Sequence, residues 1–191
     1  MLKIVKTTPN LLYEAQNELP ESYIKVQEKK HTFIESIISR YLIFSSEKFL
    51  AQTDKNWVPE FIGNRFWSIS HKENLVFVWS GTSPMWVDIE IIQERSREVF
   101  WLHSDDEYEF FWDKTMVSFY LLWVLKESAL KLNLAWLDDI KNIHITSLHD
   151  FSKHIEWVKF QFKFFGNFQN KNFVWYIGIE NELVYAVSYY L

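Results

Sequence analysis

Apolar and polar positions change rhythm along the chain, and the changes mark out its elements. Leu2 to Lys6 reads as a first strand. Asn10 is placed to cap a short helix running to Asn17, and Pro20 opens a longer helical segment. Ile24, Phe33, Ile34, Ile37, Ile38 and Tyr41 keep a three-four spacing, which predicts a helix over about 28 to 43. Residues 45 to 64 are more polar and contain Pro59 and Gly63, so a loop and one short strand are expected there. Phe66 to Ser70, Leu75 to Ser80 and Met85 to Ile91 read as three strands, with turn chemistry at Asn74 and from Gly81 to Pro84. Glu94 to Leu102 and Asp105 to Trp112 read as short helices, and a long helix follows from Lys114 to Leu132 with Asp113 as its N-cap. Asn142 to Ser147, Glu156 to Phe165, Asn172 to Glu180 and Leu183 to Tyr190 complete the pattern as strands, the last two joined by a hairpin at Asn181-Glu182.

Helices then strands, twice over, predicts an α+β protein of two halves, 1 to 84 and 85 to 191, although no sequence repeat is visible. Polar groups interrupt this pattern at three places: Ser70-His71, Asp88 and Glu90 within Val87-Asp88-Ile89-Glu90, and Lys126-Glu127 within the long apolar helix. Such groups are costly to bury without a partner or a task. On a strand over 86 to 91, Asp88 and Glu90 point to one side while Val87 and Ile89 point to the other. Two hard oxygen ligands side by side suit Mg2+. Glu127 offers a third carboxylate with a lysine beside it. Together the blocks predict a divalent metal, a phosphate-bearing substrate and a general base.

Composition narrows this picture. The 191 residues include 17 Phe and 10 Trp, too apolar for a disordered chain, and only four Gly and four Pro, too few for long flexible linkers. A net charge of −5 argues against a nucleic-acid polymer as partner. The absence of cysteine removes disulfides, zinc thiolates and cysteine nucleophiles. The apolar run from Met116 to Leu125 ends at Lys126-Glu127, too short to span a bilayer, and Met1 to Lys6 lacks the apolar segment of a signal peptide. A cytoplasmic protein with no membrane partner is expected. The histidines other than His71 (His31, His103, His144, His149 and His154) show no metal-ligand spacing and are expected at the surface.

The same blocks carry a family resemblance. Phe66-Trp67-Ser68-Ile69-Ser70-His71, Trp86-Val87-Asp88-Ile89-Glu90 and Trp123-Val124-Leu125-Lys126-Glu127-Ser128-Ala129-Leu130-Lys131 resemble, in order and spacing, the motifs of the 4'-phosphopantetheinyl transferase superfamily, in its two-halved, surfactin-type form. They span Phe66 to Lys131, about a third of the chain. The resemblance implies a monomeric pseudodimer of two similar halves, each a long helix packed on a small antiparallel sheet, with the active site in the cleft between them. It implies an enzyme, a holo-acyl-carrier-protein synthase, that moves the 4'-phosphopantetheine arm of coenzyme A to a serine of an apo acyl or peptidyl carrier protein. In that reading Asp88, Glu90 and Glu127 hold Mg2+, and Glu127 is also the base. Lys126 and Lys131 meet coenzyme phosphates, Ser70-His71 lies against the 3'-phosphate region, and Lys25, Lys29 and Lys30 add a basic grip.

The chain departs from the family pattern in three places. Trp86 stands where a glycine is usual. The Gly-Lys-Pro expected before the Ser-His block is replaced by Gly63-Asn64-Arg65, where Arg65 substitutes for the lysine. Lys25 to Ser39 contains no arginine. Aromatic residues at Phe100-Trp101 and Phe110-Phe111-Trp112 are either a carrier-docking surface or core. Two alternatives stay open beside the transferase: a catalytically silent homologue that binds a carrier protein or nucleotide, and a different Mg2+-dependent phosphoester enzyme.

Overall fold

The computed structural model describes residues 1–27, 33–53, 59–60, 63–111, 113–133, 135, 137–155 and 158–191. The chain is α+β. It divides into two compact units, Met1–Ser83 and Pro84–Leu191, and among the described residues each unit is built on one antiparallel sheet.

In the first unit, strand β1 (Leu2–Lys6) is followed by helices α1 (Pro9–Glu18), α2 (Glu21–Gln27) and α3 (Phe33–Glu47), then strands β2 (Phe66–Lys72) and β3 (Leu75–Gly81). Helix α1 starts two residues earlier than Asn10 predicts. Thr8 is its cap, accepting from the Leu11 amide at 3.2 Å, and Pro9 takes the first helical position, where a missing N–H costs nothing. Of the long helical segment, Glu21–Gln27 and Phe33–Glu47 are helical, and residues 28–32, with Lys29, Lys30 and His31, lie outside the described residues. In the polar stretch after α3 the described residues contribute one isolated bridge, Thr53 to Pro59, and residues 54–58 and 61–62, on which the expected short strand partly falls, lie outside them. The sheet order is β1-β3-β2. Ile38 and Leu42 of α3 pack on Val76 and Val78 of β3, so one face of the sheet is sealed by a helix stripe.

In the second unit, strand β4 (Met85–Ile91) leads through a 3₁₀ turn (Arg97–Leu102) and helix α4 (Asp105–Glu109) to the long helix α5 (Met116–Asn133). A second 3₁₀ turn (Leu137–Asn142) and the strands β5 (His144–Ile155), β6 (Val158–Phe168), β7 (Lys171–Glu180) and β8 (Leu183–Tyr190) follow. Helix α5 begins at Met116 because Thr115 and Ser118 cap it reciprocally. The Thr115 amide donates to Ser118 Oγ at 2.8 Å and the Ser118 amide to Thr115 Oγ1 at 3.1 Å. Asp113, the predicted cap, lies two residues outside this pair.

Strand β5 is longer than predicted. Its register shifts between Ile145 and Ser147 and between Asp150 and Lys153 break the two-residue alternation that would have revealed it. The turns between β6 and β7 and between β7 and β8 use left-handed residues, Gln169 and Asn170 in the first (φ 49° and 63°) and Asn181 in the second (φ 55°). The sheet order is β4-β8-β7-β6-β5. Helix α5 covers one face, its Leu121, Leu122, Leu125 and Ala129 joining Trp86, Trp175, Ile177, Val184 and Ala186 in one core.

The two units follow the same topological rule. A first strand leads into helices, the helices into a meander, and the final strand of the meander returns to pair with the first: β3 with β1, β8 with β4. No helix among the described residues is long and apolar enough to cross a membrane.

Candidate functional site

Strand β4 places the acidic pair. It pairs with β8 so that Trp86 faces Ser188, Asp88 faces Ala186 and Glu90 faces Val184. Trp86, Val184 and Ala186 all belong to the core that packs against α5. Alternation therefore turns Asp88 and Glu90 toward that helix. Asp88 is buried and Glu90 half-buried.

Helix α5 supplies the other half of the site. Glu127 and Lys131 lie one turn apart, both about a third exposed, and Lys131 Nζ stands 2.5 Å from Asp88 Oδ1 and 3.4 Å from Glu127 Oε1. Two carboxylates from different elements thus converge on one ammonium. Burial opposes the charge on Lys131, but Asp88 and Glu127 together outweigh it and hold its pKa above the ordinary lysine value. This lysine is a full cation at neutral pH.

The neighbouring Lys126 goes elsewhere. Its Nζ is 2.7 Å and 2.8 Å from the two carboxylate oxygens of Glu107 on α4, and its side chain is 1% exposed. Glu107 is held in turn by a capping box, accepting from the Ser104 amide at 3.0 Å. Burial pulls the pKa of Lys126 down and Glu107 resists the shift. The resemblance implies a coenzyme phosphate as the partner of Lys126; the structure pairs its charge with Glu107 in the interior of the second unit.

Beside this pair lies His103, expected at the surface and in fact buried. Its ring meets Tyr108 and Phe119 with centroids 5.9 Å and 5.4 Å away, and neither nitrogen has a hydrogen-bond partner among the described residues. Burial, reinforced by the charge on Lys126, lowers its pKa to about 3. His144, His149 and His154 are exposed, as the sequence suggests.

The remaining candidate coenzyme contacts belong to the first unit. Ser70 and His71 are neighbours on β2, opposite Phe77 and Val76, and alternation turns them to opposite faces of the sheet, Ser70 buried and His71 exposed. Arg65 is engaged by Glu47 Oε2 at 2.7 Å, and Lys25 by Glu21 at 2.6 Å. Phe110 and Phe111 are half-buried and pack against the core through Phe164; Trp101 is exposed, with Lys141 Nζ 3.9 Å from its ring centroid. Trp112 lies outside the described residues. A separate cleft of about 510 Å3 opens beside α4, lined by Ser104, Asp106, Glu107, Glu109 and His144 among others.

Sequence reasoning missed Glu107 and His103. The signal available for Glu107 was Ser104 three residues before it, a capping-box spacing. Nothing local marks Glu107 as the partner of a lysine nineteen positions away.

Among the described residues no three His, Cys, Asp or Glu side chains stand close enough to form a ready metal cage. The donor chemistry nevertheless suits a hard divalent cation: two oxygen donors already gather around one positive centre, with Glu90 on the same face of β4. No family model and no curated protein matches the chain.

Proposed function

We propose that this protein is a 4'-phosphopantetheinyl transferase, acting on coenzyme A and the serine hydroxyl of an apo acyl or peptidyl carrier protein with Mg2+. The observation that carries this reading is the meeting of Asp88 and Glu127 on one cationic centre, because these residues come from two of the three motif blocks. A pseudodimer is favoured by the shared topology of the two units, in which the last strand of each returns to its first.

Asp88, Glu90 and Glu127 would hold the metal. When bound, Mg2+ neutralises charge on the pyrophosphate of the coenzyme. Glu127, partly exposed at the edge of the core, takes the proton of the carrier serine. The serine oxygen forms a bond to the phosphorus that bears the pantetheine arm, and the bond from that phosphorus to 3',5'-ADP breaks. Lys131, a cation at this position, stabilises the charge that develops on the 5'-phosphate of the departing 3',5'-ADP. No covalent enzyme intermediate is needed.

Incubation with coenzyme A, Mg2+ and an apo carrier protein tests the proposal by mass spectrometry. The carrier should gain one phosphopantetheine arm, and Glu127→Ala should reduce the rate by at least about a hundredfold, the scale of a lost general base. Failure to modify any carrier from the same genome, with the protein correctly folded, would sink the transferase reading. Two observations favour a second one, a silent homologue that binds a carrier or nucleotide without transfer: Lys126 is committed to Glu107, and Lys131 sits on the carboxylate that should ligate the metal. Binding of coenzyme A without turnover would select it. Metal-dependent hydrolysis of coenzyme A with no carrier present would select a different phosphoester enzyme.

A further inference from the structure

Lys131 stands where its charge competes with that of a bound cation. Its Nζ lies 2.5 Å from Asp88 Oδ1 and 3.4 Å from Glu127 Oε1, and Asp88 is buried beneath α5. A buried carboxylate is expensive to leave without a compensating charge. With no divalent ion bound, Lys131 supplies that charge. A divalent ion binding the same two carboxylates must share or displace the ammonium, because two positive centres within about 4 Å repel strongly in a half-buried setting.

We infer that Lys131 is a built-in counter-ion of the carboxylate site, and that divalent cation binding there is an exchange with its Nζ rather than entry into an open cage. The inference rests on the reading of Asp88 and Glu127 as metal ligands. It carries a consequence for the order of binding. Once displaced, the ammonium needs a new anion, and a diphosphate that arrives with the metal provides one. Mg2+ alone therefore binds weakly, and Mg2+ with a diphosphate binds cooperatively. The lysine side chain is long and about a third exposed, so it can swing from carboxylate to phosphate without moving the helix backbone.

The test is calorimetric and needs no turnover. Mg2+ is titrated into the full-length protein and into Lys131→Met, each with and without inorganic pyrophosphate. The wild-type protein should bind Mg2+ alone weakly and at least tenfold more tightly with pyrophosphate present. Lys131→Met should bind Mg2+ alone at least tenfold more tightly than wild type, and pyrophosphate should add much less. Adding Asp88→Asn to Lys131→Met should abolish the gain, which places the ion at this carboxylate. If Lys131→Met does not fold, Lys131→Gln replaces it and the expectations are unchanged. Wild type binding Mg2+ while the lysine variant binds it no more tightly would overturn the counter-ion role and leave the metal reading standing. Absence of Mg2+ binding in every protein, with and without pyrophosphate, would overturn both.

Discussion

Two lysines five positions apart on one helix have opposite fates. Lys126 is enclosed and fixed to Glu107, whereas Lys131 bridges Asp88 and Glu127 at a partly open edge. For Lys126, removing only one partner leaves an uncompensated buried charge. Lys126→Met should therefore destabilise the protein by about 3–5 kcal/mol in urea unfolding, and adding Glu107→Gln should recover at least half of that loss. The glutamine can still accept from the Ser104 amide, so the cap of α4 survives. His103 makes a prediction about pH. Its folded pKa of about 3 lies below the ordinary histidine value of 6.5. Above about pH 6.5 neither state binds the proton. Between 6.5 and 3 the unfolded chain binds it and the folded chain does not, so stability falls as pH falls, by at most about 1.4 kcal/mol per unit. His103→Phe, which keeps the ring contacts to Tyr108 and Phe119, should lose less stability than wild type between pH 6.5 and 4.5, by roughly 2 kcal/mol in chemical denaturation. Equal losses in the two proteins would mean that the site admits the proton. The alternation that orients Asp88 and Glu90 was legible in six residues of sequence. The burial of Lys126 was not, because α5 is buried around most of its circumference and its polar stripe cannot be told from a buried pair by spacing alone.

Among the elements, strands with unbroken alternation were readable and those with register shifts were not. Met85–Ile91 has the predicted bounds, whereas β5 runs eight residues past Ser147, and the two register shifts along it scramble its pattern. Helix starts were displaced where the decisive interaction joins two small polar residues, Thr115 with Ser118 in α5, rather than where the nearest acid stands. The sheet of the second unit also depends on a glycine that local sequence does not single out. Gly178 on β7 lies opposite Tyr185, whose ring covers it and whose hydroxyl donates to the Lys159 carbonyl at 2.6 Å. A Cβ at 178 would collide with that ring and that carbonyl. Gly178→Ala should cost about 1–3 kcal/mol by displacing Tyr185, measurable as a lower melting temperature. An unchanged melting temperature would show that the ring can move aside freely.

For the whole molecule, the α+β class and the order of helices and strands were visible in hydrophobic pattern, because each element is sealed on one side by a helix or sheet. The closing rule was not visible. Which strand returns to which depends on pairings between distant segments, and the meander of the second unit is longer than that of the first, so similar topology does not show as a sequence repeat. Local sequence supplies the residues of the site, and the return of β8 to β4 beneath α5 gives Asp88 its place.

That return has a consequence for how the protein is made. Among the described residues β4 has a single sheet partner, β8, which follows it by almost the length of the second unit. During synthesis Trp86, Val87 and Ile89 must wait as an unpaired apolar strand until the meander has formed, a state open to mispairing and to capture by chaperones. Asp88 cannot take its final position against Lys131 before that pairing. Competence at the site is thus acquired at the end of folding, and a nascent chain that has not yet produced β8 has its motif residues but not their arrangement.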